Sequence, residues 1–110
     1  MKGTHLGEFE ELVLLSVGAL GNEAYGVAVK DFITERTSRK SSIGALHSAL
    51  SRLEDKGFLK NKIGESTKIR GGRRKKYYII TIAGKEALKI INGQRSELYS
   101  MIPSLNVAGL

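Results

Sequence analysis

Apolar residues recur at helical spacing three times along the chain, then crowd into an aromatic and β-branched run, then return to helical spacing. The first pattern predicts a helix over residues 6–20, with Leu6, Phe9, Val13, Val17 and Leu20 on one stripe and Leu12, Leu15 and Ala19 on a second. A helix apolar on two sides must be covered on two sides, by its own domain and by a second subunit. Gly21 is placed to end it, and Asn22 to cap the next helix. That helix carries Tyr25, Ala28, Val29, Phe32 and Ile33 on one face and fades at Thr37 and Ser38. A short polar link leads to a third helix, capped by Ser41 or Ser42, with Ile43, Leu46, Leu50 and Leu53 as its buried stripe and Gly57 as its stop. Residues 58–63 and 75–81 then predict two strands. In the second strand both Tyr77 with Ile79 and Tyr78 with Ile80 are apolar pairs, so neither face suits water. Thr81 can cap a last helix reaching toward Ile102, where Pro103 ends it.

Projected at 100° per residue, Ser41, Gly44, Ala45, Ser48, Arg52 and Asp55 lie opposite the buried stripe of the third helix, with Ala49 and Ser51 at the flanks. A merely solvated face usually carries long Glu and Lys side chains. This one is small and flat, so its backbone can approach a groove floor while Arg52 reaches a phosphate or a guanine edge. Packing of the same face on another helix is the alternative.

Charge sharpens this picture. The 110 residues hold 18 Lys and Arg against 11 Asp and Glu, a formal net charge of +7 with a pI near 9.8, which points to a polyanionic partner. The excess is concentrated between Lys56 and Lys76, whereas Glu8, Glu10 and Glu11 make the N-terminal helix acidic. A helix with a small exposed face followed by a basic strand-loop-strand is the layout of a winged helix. The fold class is therefore mostly α with a small antiparallel β-hairpin: a winged helix-turn-helix over residues 1–81 and a C-terminal dimerisation helix over residues 82–110. Ser42, Gly44, Ala45, Ser48 and Arg52 are the candidate groove-facing residues. Lys68, Arg70, Arg73, Arg74 and Lys75 are the candidate wing cations for flanking phosphates. In the last helix Leu88, Ile91, Leu98 and Ile102 recur at heptad-like spacing, and with Leu6, Phe9 and Val13 they form the candidate dimer interface. Gly93 sits within that helix, where glycine costs about 1 kcal/mol relative to alanine, so the helix needs contacts beyond its own backbone.

Other chemistries find little support. The absence of cysteine removes disulfides, thiolate metal sites and a cysteine nucleophile. His5 and His47 are isolated, with no metal-ligand spacing and no nucleophile-elbow pattern around the serines. Gly71-Gly72 lacks the spacing and the Lys-Ser or Lys-Thr of a phosphate-binding loop. No signal-peptide or membrane-spanning run is present, so a soluble, cytoplasmic protein without cofactor is expected. Two other classes fit the same basic hairpin: an RNA-binding module and a winged-helix protein-interaction module.

Several pieces in their order and spacing carry a family resemblance: Leu14-Leu15-Ser16-Val17, Ala24-Tyr25-Gly26, the Ser42 to Leu46 segment, Leu50-Ser51-Arg52-Leu53-Glu54-Asp55-Lys56-Gly57, Arg70-Gly71-Gly72-Arg73, and Lys76-Tyr77-Tyr78-Ile79-Ile80-Thr81-Ile82-Ala83-Gly84. Together they resemble the PadR family of bacterial transcriptional regulators in its short form with one C-terminal helix. The resemblance implies a homodimeric repressor of a two-fold double-stranded DNA site that a small molecule can release. A small aromatic ligand is a candidate because Phe9, Val13 and Leu98 leave the expected dimer seam without a large aromatic to fill it. Two positions depart from the pattern. His47 stands where the family typically has tyrosine, and the tryptophan with which some short members sandwich flat drugs is missing, since the chain has none.

Overall fold

Three glutamates in the first turn, placed where the positive end of the helix dipole favours them, start α1 (Glu8–Leu20). Glu10 reaches back to accept the Gly7 amide at 3.1 Å, which satisfies one of the orphan donors of the helix start. In a computed structural model of the chain, which describes residues 5–66 and 74–103, α1 is followed by α2 (Gly26–Thr37), α3 (Ile43–Asp55), the strands β1 (Leu59–Ser66) and β2 (Arg74–Ile80), and α4 (Ile82–Ser100). Gly21 ends α1 with φ at +60°, as its place in the sequence suggests. Asn22, however, does not cap α2. It lies in a single 3-10 turn (Gly21–Glu23), and α2 starts only after Tyr25. The reason is a pairing distant in sequence: the Tyr78 amide donates to the Ala24 carbonyl at 2.8 Å, and Tyr25 forms an isolated β-bridge with Tyr77. Residues claimed by the hairpin cannot also be helical.

The core joins all four helices and the root of the hairpin. Val13, Leu14, Val17, Val29, Ile33, Leu46, Ala49, Leu50, Leu53 and Ala87 have essentially no solvent exposure, and Phe58, Leu59 and Tyr78 are buried beside them. The buried stripe of α3 is thus Leu46, Ala49, Leu50 and Leu53. Ala49 is central rather than flanking, and Ile43, expected in the stripe, is 43% exposed. As the first residue of its helix, Ile43 leans toward the N-terminus and finds no preceding turn to cover it. Leu6 and Val13, expected at a dimer interface, are also corrected: both are buried in the chain's own core and have almost no surface left for a partner.

β1 and β2 pair antiparallel, Leu59 opposite Ile80 and Lys62 opposite Tyr77, with an irregularity between Ile63 and Ser66. There the Tyr77 ring lies so close that a Cβ on Gly64 would sit 2.6 Å from Tyr77 Cε1. Tyr78 faces the core, whereas Ile79 on the opposite face stays exposed and is not covered by α4; Ile63, on the Tyr78 side of the sheet, is exposed beyond the reach of the core. Thr81 caps α4 by accepting the Gly84 amide at 3.0 Å, and it donates to the Gly57 carbonyl at 2.7 Å. The helix runs unbroken through Gly93 and ends at Ser100, capped by Met101 two residues before Pro103.

Candidate nucleic-acid interface

α3 presents the expected small face. Ser42, Gly44, Ala45, Ser48, Ser51 and Asp55 are exposed, and the Ser42 hydroxyl accepts the Ala45 amide at 3.0 Å, holding the first turn in shape. Ser41 sits half-buried just outside this face. Two further exposed side chains adjoin it. Ile43 stands at its N-terminal end, and His47 leans over the start of α2, where a Cβ on Gly26 would be 3.4 Å from the imidazole Cε1. His47 is therefore a surface side chain and not part of the core.

Arg52 is on the exposed face but not free. Its Nε donates to Glu10 Oε2 at 2.7 Å, and Lys56 Nζ donates to Glu10 Oε1 at 2.6 Å and to the His5 carbonyl at 3.0 Å. The Glu10 side chain is only 8% exposed, while that of Arg52 is 52% exposed. A carboxylate removed from water needs such pairing to remain charged. Sequence reasoning passed over Glu10 and Lys56. The local signal was the placement of two cations, Arg52 and Lys56, four residues apart on one helical face, where like charges repel unless an anion lies between them.

Burial alone would raise the Glu10 carboxyl, but the hydrogen bonds from Lys56, Arg52 and Gly7 win and hold it at about 2. A folded value below the unfolded one stabilises the fold above roughly pH 4.5, and that stability is lost as pH falls from there toward 2. Urea melts across this range should show an acid loss on the order of 2 kcal/mol that is missing in Glu10→Gln. Equal acid sensitivity of both proteins would contradict this account.

The other glutamates of α1 are spent in the same way. Glu8 pairs with Arg39 at 3.0 Å and Glu11 with Arg95 at 2.6 Å, so the acidic turn neutralises cations of the helical body. The hairpin keeps its charge exposed. Lys60, Lys62, Lys75 and Lys76 are all exposed on its strands, and Lys75 Nζ lies 4.1 Å above the Tyr25 ring, which in turn meets Tyr77 edge-on with centroids 5.6 Å apart. Lys75 is thereby held against the ring of Tyr25, just before α2. Arg74 opens β2. Lys68, Arg70, Gly71, Gly72 and Arg73 lie outside the described residues. The arrangement offers a flat helix face beside a cationic ribbon. Among the described residues no group of His, Cys, Asp and Glu could hold a metal ion, and no helix is long and apolar enough to cross a membrane.

This geometry has known counterparts. A PadR-like transcription factor from Bacteroides fragilis is 25% identical with a TM-score of 0.72 over 89% of each chain. A PadR family transcription regulator from Clostridium difficile is 24% identical with a TM-score of 0.69, covering 86% of this chain and 94% of that one. Bacillus subtilis PadR, solved in complex with operator DNA, is 20% identical with a TM-score of 0.64 over 76% of this chain and 46% of its own. No curated protein sequence matches. The family model described as "Transcriptional regulator PadR-like family" matches residues 13–90, which take in α2, α3, the hairpin and most of α1, and on that match the chain belongs to the PadR-like family of transcriptional regulators.

Proposed function

We propose that the protein is a homodimeric repressor that binds a two-fold site on double-stranded DNA, with α3 in the major groove and the hairpin along the flanking backbone. As a member of a family of transcriptional regulators it is not an enzyme. The observation that carries the reading is the contrast between the small exposed face of α3 and the lysine-rich ribbon next to it. Gly44, Ala45 and Ser48 let the helix approach base edges, Ser42 sits at the helix N-terminus where phosphate is favoured, and Ile43 offers an apolar contact to a thymine methyl. Arg52 supplies a guanidinium at the far end of the face. Lys75, with Lys68, Arg70, Arg73 and Arg74 of the same segment, would neutralise phosphates. The Bacillus subtilis PadR structure with operator DNA supports this use of the fold.

The outer faces of α4 and α1 support the dimer reading. Leu98, Tyr99, Met101 and Ile102 are exposed on the last turns of α4, with a shallow groove of about 180 Å³ between Arg95, Leu98, Tyr99 and Ile102, and Leu15 is exposed on α1. Leu88, Ile91 and Phe9 are half-buried against the core and would contribute only their outer edges. A small aromatic ligand would release the DNA if it preferred a dimer with wrongly spaced α3 helices, and DNA would then weaken ligand binding by the same factor.

The test is binding of wild type and Ser48→Glu to duplexes selected from a random pool. A carboxylate in the middle of the α3 face meets the groove's negative potential, and affinity should fall by about a hundredfold or more. RNA that outcompetes duplex DNA would favour the RNA-binding module. Salt-independent or absent duplex binding by the wild type would favour the protein-interaction module.

A further inference from the structure

We propose that Glu10 is a positioning residue for DNA recognition: from the first turn of α1 it aims the Arg52 guanidinium of α3. The inference rests on the DNA-binding reading above. Its basis is the way the pair is built. Glu10 takes Arg52 by Nε alone, through Oε2, so the two terminal nitrogens of the guanidinium lie outside that bond and the side chain stays half exposed. The other carboxylate oxygen, Oε1, is held by the Gly7 amide and by Lys56, which also grips the His5 carbonyl. Glu10 is therefore held by two contacts besides Arg52, the Gly7 amide and Lys56, and Arg52 inherits that rigidity.

An arginine on a solvated helix face samples many rotamers, and ordering it on a base edge opposes binding. One already tethered by Nε has lost most of that freedom before DNA arrives, and its remaining fork of donors matches the paired acceptors of a guanine edge. Lys56 matters to the same end. It neutralises Glu10, so that the carboxylate does not repel phosphate from the groove face. The arrangement also ties the aim of Arg52 to α1, whose outer face belongs to the proposed dimer interface.

This role predicts a change in sign that a purely electrostatic or structural one does not. Deleting a carboxylate near DNA should by itself tighten binding to every duplex. If Glu10 positions Arg52, Glu10→Gln should instead weaken binding to the selected duplex by about tenfold or more while binding to a scrambled duplex holds or tightens. Arg52→Lys, which keeps the charge on a half-exposed side chain but lacks the fork, should lower the same ratio, and the double variant should be no worse than either single one. The measurement is fluorescence anisotropy with both duplexes across a salt series, with circular dichroism melts confirming that each variant is folded at the assay temperature. Should Glu10→Gln fail to fold, Glu10→Asp, which keeps the charge but shortens the reach to Arg52, takes its place and should lower the same ratio. An unchanged ratio in the folded variants overturns the positioning role and leaves DNA binding standing. A wild type that does not distinguish the two duplexes overturns both.

Discussion

Charging the end of α4 with the pair L98D and I102D is expected to give a folded monomer of 12.0 kDa where wild type scatters light as twice that mass. The substitutions fall where the helix has left the core. Leu98 is 63% and Ile102 45% exposed, whereas the contacts that hold α4 to its own domain lie a few turns earlier, at Gly84 and Ala87 with Leu88 and Ile91 half-buried. Folding should be little affected, while four carboxylates would meet across a two-fold seam that must bury apolar surface to form. Operator affinity should fall by about a hundredfold or more, because each half-site then binds one domain without the effective concentration that the linked partner provides. Cutting the chain before Lys85 is a poorer experiment, since it removes Ala87, Leu88 and Ile91 from the core along with the interface. A variant that remains dimeric would place the interface elsewhere.

Gly84→Val is expected to destabilise the fold by about 3 kcal/mol, lowering the melting temperature by roughly 10–20 °C. Gly84 is at the start of α4, where the helix leans on the turn before β1. A Cβ there would collide with the Phe58 carbonyl oxygen and lie 2.9 Å from Ile80 Cγ1. The first obstacle is backbone held by its own hydrogen bond, since the Phe58 carbonyl accepts the Thr81 amide at 3.0 Å, and it cannot swing aside as a side chain would. The same helix provides the control. Gly93 has nothing within 4 Å of its missing Cβ, so Gly93→Ala removes only a backbone-entropy cost and should stabilise by up to about 1 kcal/mol. Equal effects at the two glycines in thermal melts would show that packing at Gly84 does not matter.

What could be read from the chain was what is local. The periodic stripes located every helix, Ser42 and Thr81 were recognisable caps, and Gly21 and Gly57 adopt the positive φ that ends α1 and turns the chain out of α3. The small face of α3 and the basic hairpin were equally visible, since each is written in consecutive residues. The errors share one cause. Asn22 loses its cap role to a hairpin strand far along the chain, Leu6 and Val13 go to the domain's own core, and Ala49 is drawn inward by helices that the projection cannot see. Glu8, Glu10 and Glu11 read only as an acidic end because their partners, Arg39, Arg52, Lys56 and Arg95, are distant in sequence.

The bond from the Tyr78 amide to the Ala24 carbonyl closes a loop that contains α2, α3 and β1. Closing so long a loop is entropically slow and is rewarded only once the intervening helices are docked. The root of the wing is thus a late-forming joint of the fold, and once made it opens only with the helices themselves. Proton exchange at that amide should therefore follow global unfolding, and any movement of the wing over a bound partner has to come from the strands beyond Tyr77, pivoting on a base that does not move.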